Sequence, residues 1–432
     1  MYKVPYGKRS IEFSLPPEMH VTQAVSKPVP HVANEQAAVT EALAHPIGTP
    51  RLREMVHPGD RVCIVFTDVT RSCPDYLLVP ALLLELKAGG VRDSDVTLLC
   101  GIGMHRPSTH EERVAKLGAD IVSHYRVINN EPQNPAALVD LGMTDDGVPV
   151  LEHRAVVESD MVIATGIVEP HQYAGYSGGR KTLAVGAAGE ALIAHTHGPA
   201  FVDHPGTRLG RIEGNPFHEA VTEAAHRAGL RFILNVVLDD DKRILRVTAG
   251  DPDKAFEDLV TFARSVYVVL IPQQYDIAIG GVGFPKDSNL YQASRAPSFL
   301  FFAPTCVVRP GGYFIIPARC EEGAGSGVGE QRFLSAMRDA PDVAFILEDA
   351  RRNGYPPGQQ RAFVMAKVLE RSRVIIVASE CPDIVASCKM IPAATMDEAL
   401  RIATGDLGSS CDVLIVPHAL LTLPVVQKRM GQ

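Results

Sequence analysis

Three apolar runs in the first half of the chain end in the same way. Arg61-Val-Cys-Ile-Val-Phe-Thr67 stops at Asp68-Val-Thr70-Arg71, Asp95-Val-Thr-Leu-Leu-Cys-Gly101 at Gly103-Met-His105, and Asp160-Met-Val-Ile-Ala-Thr165-Gly at Glu169-Pro-His171. Runs of strand length that are apolar throughout, without alternation, belong to strands buried on both faces, and such strands occur in parallel sheets covered by helices. Helical stretches follow two of them: Tyr76 to Lys87, closed by Gly89-Gly90, and a segment opened by the capping-box pattern Thr109-His-Glu-Glu112. In open parallel sheets, ligands bind outside the carboxyl ends of the strands. Asp68, Arg71, His105, His171 and Lys181 are therefore expected to share one cleft.

The α/β rhythm continues. Asn215 to Gly229 reads as an Ala-rich helix, Phe232 to Leu238 and Ile244 to Thr248 as strands, and Asp253 to Arg264 as a helix. It restarts after Pro272-Gln-Gln-Tyr275, with strands expected at Asp276–Gly280, Gly312–Ile316, Arg373–Val377 and Asp412–Val416. Helical runs lie near 292–302, 330–339, 360–371 and 396–404. At 432 residues with 46% hydrophobic side chains, the chain can bury two cores. The expected architecture is two α/β domains with mostly parallel sheets and an active-site cleft between them: residues 1–271 bind the cofactor and carry the catalytic residues, and residues 272–432 close the cleft. Ile11 to Leu15 alternates like an edge strand in a lead-in.

A formal charge of -8 without a basic stripe argues against nucleic acid as partner. The eight cysteines are dispersed with no C-x-x-C pair, as in a reducing cytoplasm. No apolar run reaches the roughly 20 residues that span a bilayer, so no membrane association is expected.

The densest chemistry lies between Gly166 and His197. Gly175-Tyr-Ser177-Gly178-Gly179-Arg180-Lys181-Thr182 approaches the P-loop form but has Arg180 where the last glycine must stand. A Gly-rich turn could still present backbone N–H groups to an anion; the plainer alternative is an ordinary turn with a surface lysine. His195-x-His197 is a weak metal signal by itself, and a solvated pair at a helix end reads equally well. His105 and His171, each a lone loop histidine, gain interest from their matching strand ends, because a racemase needs an acid/base group on each face of a carbon. Arg71 has the planar fork suited to a carboxylate, or else to a surface salt bridge.

Taken together, Asp68-Val-Thr-Arg71, Gly103-Met-His105-Arg-Pro-Ser-Thr-His-Glu-Glu112, Glu169-Pro-His171, Ser177-Gly-Gly-Arg-Lys181, His197 and Tyr291-Gln292-Ala-Ser-Arg295 resemble the lactate racemase family of nickel-pincer-nucleotide-dependent 2-hydroxyacid racemases and epimerases. The resemblance spans most of the chain. It implies a pyridinium-3,5-bisthiocarboxylic acid mononucleotide carrying nickel, tethered covalently at Lys181, with His197 as the protein's metal ligand. It implies His105 and His171 as paired acid/base residues, with Asp68, Thr70, Ser177, Gly178 and Gly179 beside the cofactor. Arg71, Tyr291, Gln292 and Arg295 become the substrate-binding set. The implied reaction is reversible hydride transfer through a 2-keto acid, on lactate-like acids or malate, with the cofactor supplied by separate biosynthetic enzymes. The family pattern has lysine where Arg295 stands, and a tryptophan whose place Tyr355 is expected to take. Competing readings are a zinc hydrolase using His195, His197 and His204, a Schiff-base enzyme using Lys181, and a non-catalytic carboxylate- or nucleotide-binding regulator. Oligomeric state is left open.

Overall fold

The first two of those apolar runs and the third become neighbouring strands of one sheet. In the computed structural model, which describes residues 1–427, they are β1 (Val62–Thr67), β2 (Val96–Gly101) and β4 (Met161–Ile167). Joined by β3 (Arg126–Asn129), β5 (Leu230–Leu238) and β6 (Ile244–Gly250), they stand in the order β6-β5-β4-β1-β2-β3. Every pairing is parallel except β5 with β6. All six residues of β1 and all seven of β4 are buried, as continuous apolar strands require. The helix α1 (Asp75–Ala88) follows β1 and contributes Leu78, Val79, Leu82 and Leu86 to the core with Ile64 and Phe66. Chain order reverses at β1: β2 and β3 extend to one side, β4 and β5 to the other. The loops after β1 and β4 therefore diverge across a topological switch point, where ligand crevices form.

A second six-stranded sheet is parallel throughout. Its order is Ile391–Ala393, Arg373–Val377, Val308–Pro317, Tyr275–Gly280, Asp412–Val416 and His20–Gln23. Its core gathers Ile277, Ile315, Ile375 and Val413 with Val4 and Phe13 from an N-terminal hairpin, Tyr2–Tyr6 paired antiparallel with Arg9–Phe13.

The compact units are not single stretches of chain. The histidine-bearing unit comprises residues 28–197 and 212–266; the C-terminal unit comprises residues 1–27, 198–211 and those from 267 onward. The last crossing falls close to the expected boundary at 271/272. The first 27 residues join the C-terminal unit because His20–Gln23 completes its sheet edge, His20 opposite Asp412. Residues 198–211 join it because Asp203 pairs with Arg351 and Lys367, and the Leu209 N–H donates to the Phe302 carbonyl. The helix Val343–Asn353 was not anticipated, although Ile346, Leu347 and Ala350 bury one face and Asp342 caps it.

One buried acid is unaccounted for by packing. Glu152, on the strand Pro149–His153, is fully buried, and neither carboxyl oxygen has a hydrogen-bond partner among the described residues. Burial pushes its carboxyl well above the ordinary range, so the folded state keeps it protonated where the unfolded chain ionises. This stability is complete below the unfolded carboxyl pKa and is lost as pH rises toward the folded value. Glu152→Gln is expected to melt higher than wild type at pH 8, by about 2–4 °C for each kcal/mol in a domain of this size. Thermal melts from pH 4.5 to 8 check this; a gap that fails to close at the acid end counts against it.

Candidate active site

The end of β1 makes an Asx turn. Thr70 donates to Asp68 Oδ1 from its hydroxyl at 2.7 Å and from its backbone N–H at 3.2 Å. This leaves Oδ2 of the buried Asp68 for His105, whose Nδ1 lies 2.6 Å away. His105 arrives on the loop after β2, its backbone N–H bonded to the Ile102 carbonyl. Burial alone would raise the Asp68 pKa, but hydrogen bonds from His105 and Thr70 and the charges of His105 and Arg71 outweigh it and hold it below its ordinary value. The carboxylate thus accepts the Nδ1 proton of the half-exposed ring, which leaves Nε2 as the nitrogen that can gain or lose a proton.

Beneath this dyad lies an ion pair. The Lys116 ammonium contacts Asp75 Oδ2 at 2.9 Å and donates to Thr67 Oγ1 and to the carbonyls of Arg71 and Cys73 at 2.8–3.0 Å. The Asp75 carboxylate also receives the Thr67 and Thr165 hydroxyls, each at 2.6 Å. One network therefore ties the ends of β1 and β4 to the Asp68–Arg71 loop. Arg71 itself makes no side-chain hydrogen bond or ion pair among the described residues.

After β4 the chain turns through the two-residue pairing of Pro170–His171 with Gly175–Tyr176. The Ser177 hydroxyl closes this loop by donating to the Ile167 carbonyl at 2.7 Å. His171 Nδ1 accepts the backbone N–H groups of Tyr173 and Ala174 at 3.2 and 3.1 Å. A nitrogen that accepts two hydrogen bonds carries no proton, so the neutral ring is protonated on Nε2, opposite to His105. The helix α2 (Gly179–Ala184) then packs on the sheet. Gly178 has φ +132, and a side chain there would press on Phe256 and Val168, while one at Gly179 would collide with Ile233. These glycines serve close approach of helix to sheet. Arg180, where a P-loop needs glycine, points inward: it pairs with Asp253 at 2.6 Å and stacks on Phe256 at 4.3 Å.

His197 ends the helix α3 (Glu190–Thr196), its Nδ1 2.9 Å from the Ile193 carbonyl. That bond places the proton on Nδ1 and leaves Nε2 able to bind a metal. Burial first, and then the positive charge of Lys181, push its pKa down to about 4, so the ring is neutral at neutral pH. Tyr173 meets His171 and His197 edge-on at 5.8 and 5.4 Å, and Phe217 meets His197 at 5.0 Å. Asn215 sets both aromatic residues, donating to the Tyr173 carbonyl at 2.8 Å and accepting from the Phe217 N–H at 3.0 Å. This aromatic wall was not foreseen; the Asn215-Pro-Phe helix start was its available signal.

The histidine-bearing unit thus holds Asp68, Thr70, Arg71, His105, His171, Ser177, Gly178, Gly179, Lys181 and His197. Tyr291, Gln292 and Arg295 lie in the C-terminal unit, on Leu290–Ala293 and Arg295–Phe301. Tyr355 is there too, tilted against Phe363. Of the alternative zinc set, His195 and His197 flank Thr196, whereas His204 belongs to the C-terminal unit. Among the described residues, no group of three or more His, Cys, Asp or Glu is placed to hold a metal.

Residues 6–210 match the lactate racemase N-terminal domain family, and residues 271–423 the lactate racemase C-terminal domain family. The chain belongs to the lactate racemase family. It is 31% identical to the lactate racemase of Thermoanaerobacterium thermosaccharolyticum over 421 residues, covering 97% of each chain. With the lactate racemase of Lactiplantibacillus plantarum it shares 32% over 427 residues, covering 96% of this chain and 98% of the relative. The structure of the lactate racemase apoprotein from T. thermosaccharolyticum superposes with a TM-score of 0.87 at 29% identity, covering 98% and 99% of the two chains. A Thermotoga maritima protein shares the fold, with a TM-score of 0.68 at 19% identity over 91% of this chain and 98% of that one. The enzyme is a racemase and hence an isomerase.

For this racemase, Asp68→Asn is expected to remove the charge that stabilises His105 once protonated. Turnover should fall by about two orders of magnitude or more, within the range of a lost acid/base contribution, and the downfield Nδ1 proton resonance of His105 should disappear. Retention of both would separate Asp68 from the chemistry.

Proposed function

We propose that this enzyme racemises a short 2-hydroxyacid, lactate-like or malate, using a nickel-pincer nucleotide tethered at Lys181. The observation that carries the reading is the sorting of three imidazoles by the hydrogen bonds at Nδ1: His105 donates to the Asp68 carboxylate, His171 accepts two backbone N–H groups, and the neutral His197 donates to the Ile193 carbonyl. The relatives named above are lactate racemases, and the solved one is described as an apoprotein, the form of an enzyme that takes a prosthetic group. His197 fits as nickel ligand, and Lys181, close enough to depress its pKa, fits as the tether. When bound, the nucleotide supplies a reversible acceptor for the substrate's α-hydrogen as hydride, which avoids a carbanion beside a carboxylate.

The chain's own residues handle the proton. His105 takes the hydroxyl proton of one enantiomer, and Asp68 stabilises the resulting imidazolium. His171 is read as the acid/base residue for the opposite enantiomer: as the imidazolium it gives its Nε2 proton to the oxygen and is left as the neutral ring, and both rings then re-equilibrate with solvent. Arg71 offers an uncommitted fork to the carboxylate, and Tyr291, Gln292 and Arg295 are read as substrate-side residues. Thr70 acts through Asp68, and Ser177, Gly178 and Gly179 shape the turn that presents Lys181. All eight cysteines are unpaired, and no helix among the described residues is long and apolar enough to cross a membrane; a cytoplasmic site, where the cofactor-building enzymes would act on it, suits this chemistry.

Protein co-produced with the carboxylase, sulfur-inserting and nickel-inserting enzymes is expected to gain the cofactor's mass, and Lys181→Ala to lose that gain. His105→Ala and His171→Ala should each abolish racemisation and retain nickel. Full activity at unmodified mass, or activity that follows zinc instead of nickel, would overturn the reading.

A further inference from the structure

Among the described residues, two arginines, Arg180 and Arg361, are more than nine-tenths buried. Arg180, at 4% exposure, has the carboxylate of Asp253 for a partner. Arg361, at 6%, has none among the described residues: Nη1 donates to Ser298 Oγ at 2.8 Å, and Nε is buried without a partner. Desolvating a guanidinium against a single neutral hydroxyl is costly, and buried charges are ordinarily paired. Its position worsens the imbalance. Arg361 lies in the first turn of the helix Gln360–Arg371, where the dipole is positive, and that turn has no acidic residue and no side-chain cap from Gln359. The missing counter-charge is an anion.

The surroundings indicate which anion. The Arg361 guanidinium lies over the Tyr291 ring, 5.8 Å from its centroid. Ser298, which accepts its one hydrogen bond, donates in turn to the Arg295 carbonyl at 3.0 Å. Arg361 is therefore built into the same short segment, residues 291–298, that carries the substrate-side residues. We infer that Arg361 forms, with Arg295 and Tyr291, a carboxylate subsite in the C-terminal unit that takes the second carboxylate of a dicarboxylic 2-hydroxyacid such as malate. The inference rests on the substrate-side reading of Tyr291, Gln292 and Arg295. A planar fork with donors to spare favours a carboxylate over a neutral methyl group in that place.

Calorimetric titration of the cofactor-free protein with malate, lactate and inorganic phosphate tests this without using turnover. Malate is expected to bind about ten- to a hundredfold tighter than lactate, the usual range for a hydrogen-bonded charge. Arg361→Met should bring the two affinities to within about threefold, and Arg361→Lys should restore part of the difference. Should the Met variant not fold, the Lys variant decides: a preference equal to wild type overturns the inference. So does the absence of a malate preference in wild type, its survival in Arg361→Met, or phosphate binding as tightly as malate. Malate binding that follows this pattern in an enzyme racemising neither acid would uphold the subsite and defeat the function proposed above; lactate racemisation with no malate preference would do the reverse.

Discussion

A lysine and an aspartate buried together below the carboxyl end of β1 hold this site in place. Breaking one member of such a pair typically costs about 3–5 kcal/mol, because the other charge is stranded. Here Lys116 and Asp75 spread that dependence over the two strands at the switch point, through Thr67 and Thr165, and over the loop carrying Asp68 and Arg71. Lys116 also belongs to His110–Leu117, the helix that follows His105, with Thr109 as its cap. One cation thereby anchors both halves of the His105–Asp68 pair. Burial acts to lower its pKa, yet Asp75, Cys73 and Asp68 more than compensate and raise it, so the network stays charged.

With that base fixed, local hydrogen bonds divide the work among chemically identical rings. A carboxylate takes the Nδ1 proton of His105, two backbone N–H groups donate to Nδ1 of His171, and a helical carbonyl faces Nδ1 of His197. The same economy governs the glycines and Arg180 of the Gly-rich turn. They hold α2 against the sheet and its neighbours, and that packing positions Lys181 one residue along.

Much of the scaffold was legible in the chain. Continuous apolar strands followed by polar loops require a parallel sheet with both faces covered, and this places Asp68, His105 and His171 at strand ends. The spacing of the family motifs covered the same positions. What stayed hidden depends on residues far apart in sequence. Nothing local shows that Asp68 Oδ2 meets a ring 37 positions later. Nothing local marks Lys116 as a buried cation, and nothing local marks His20–Gln23 as a sheet edge, since its partner Asp412–Val416 lies at the other end of the chain.

The sequence by itself determined the fold class, the family and the residue types at the site, because periodicity and motif spacing are local properties. Tertiary structure alone decided the hydrogen-bond partners of the three histidines and of the buried charges. Those depend on which donor or acceptor lies within about 3 Å, and only the packed chain sets such distances.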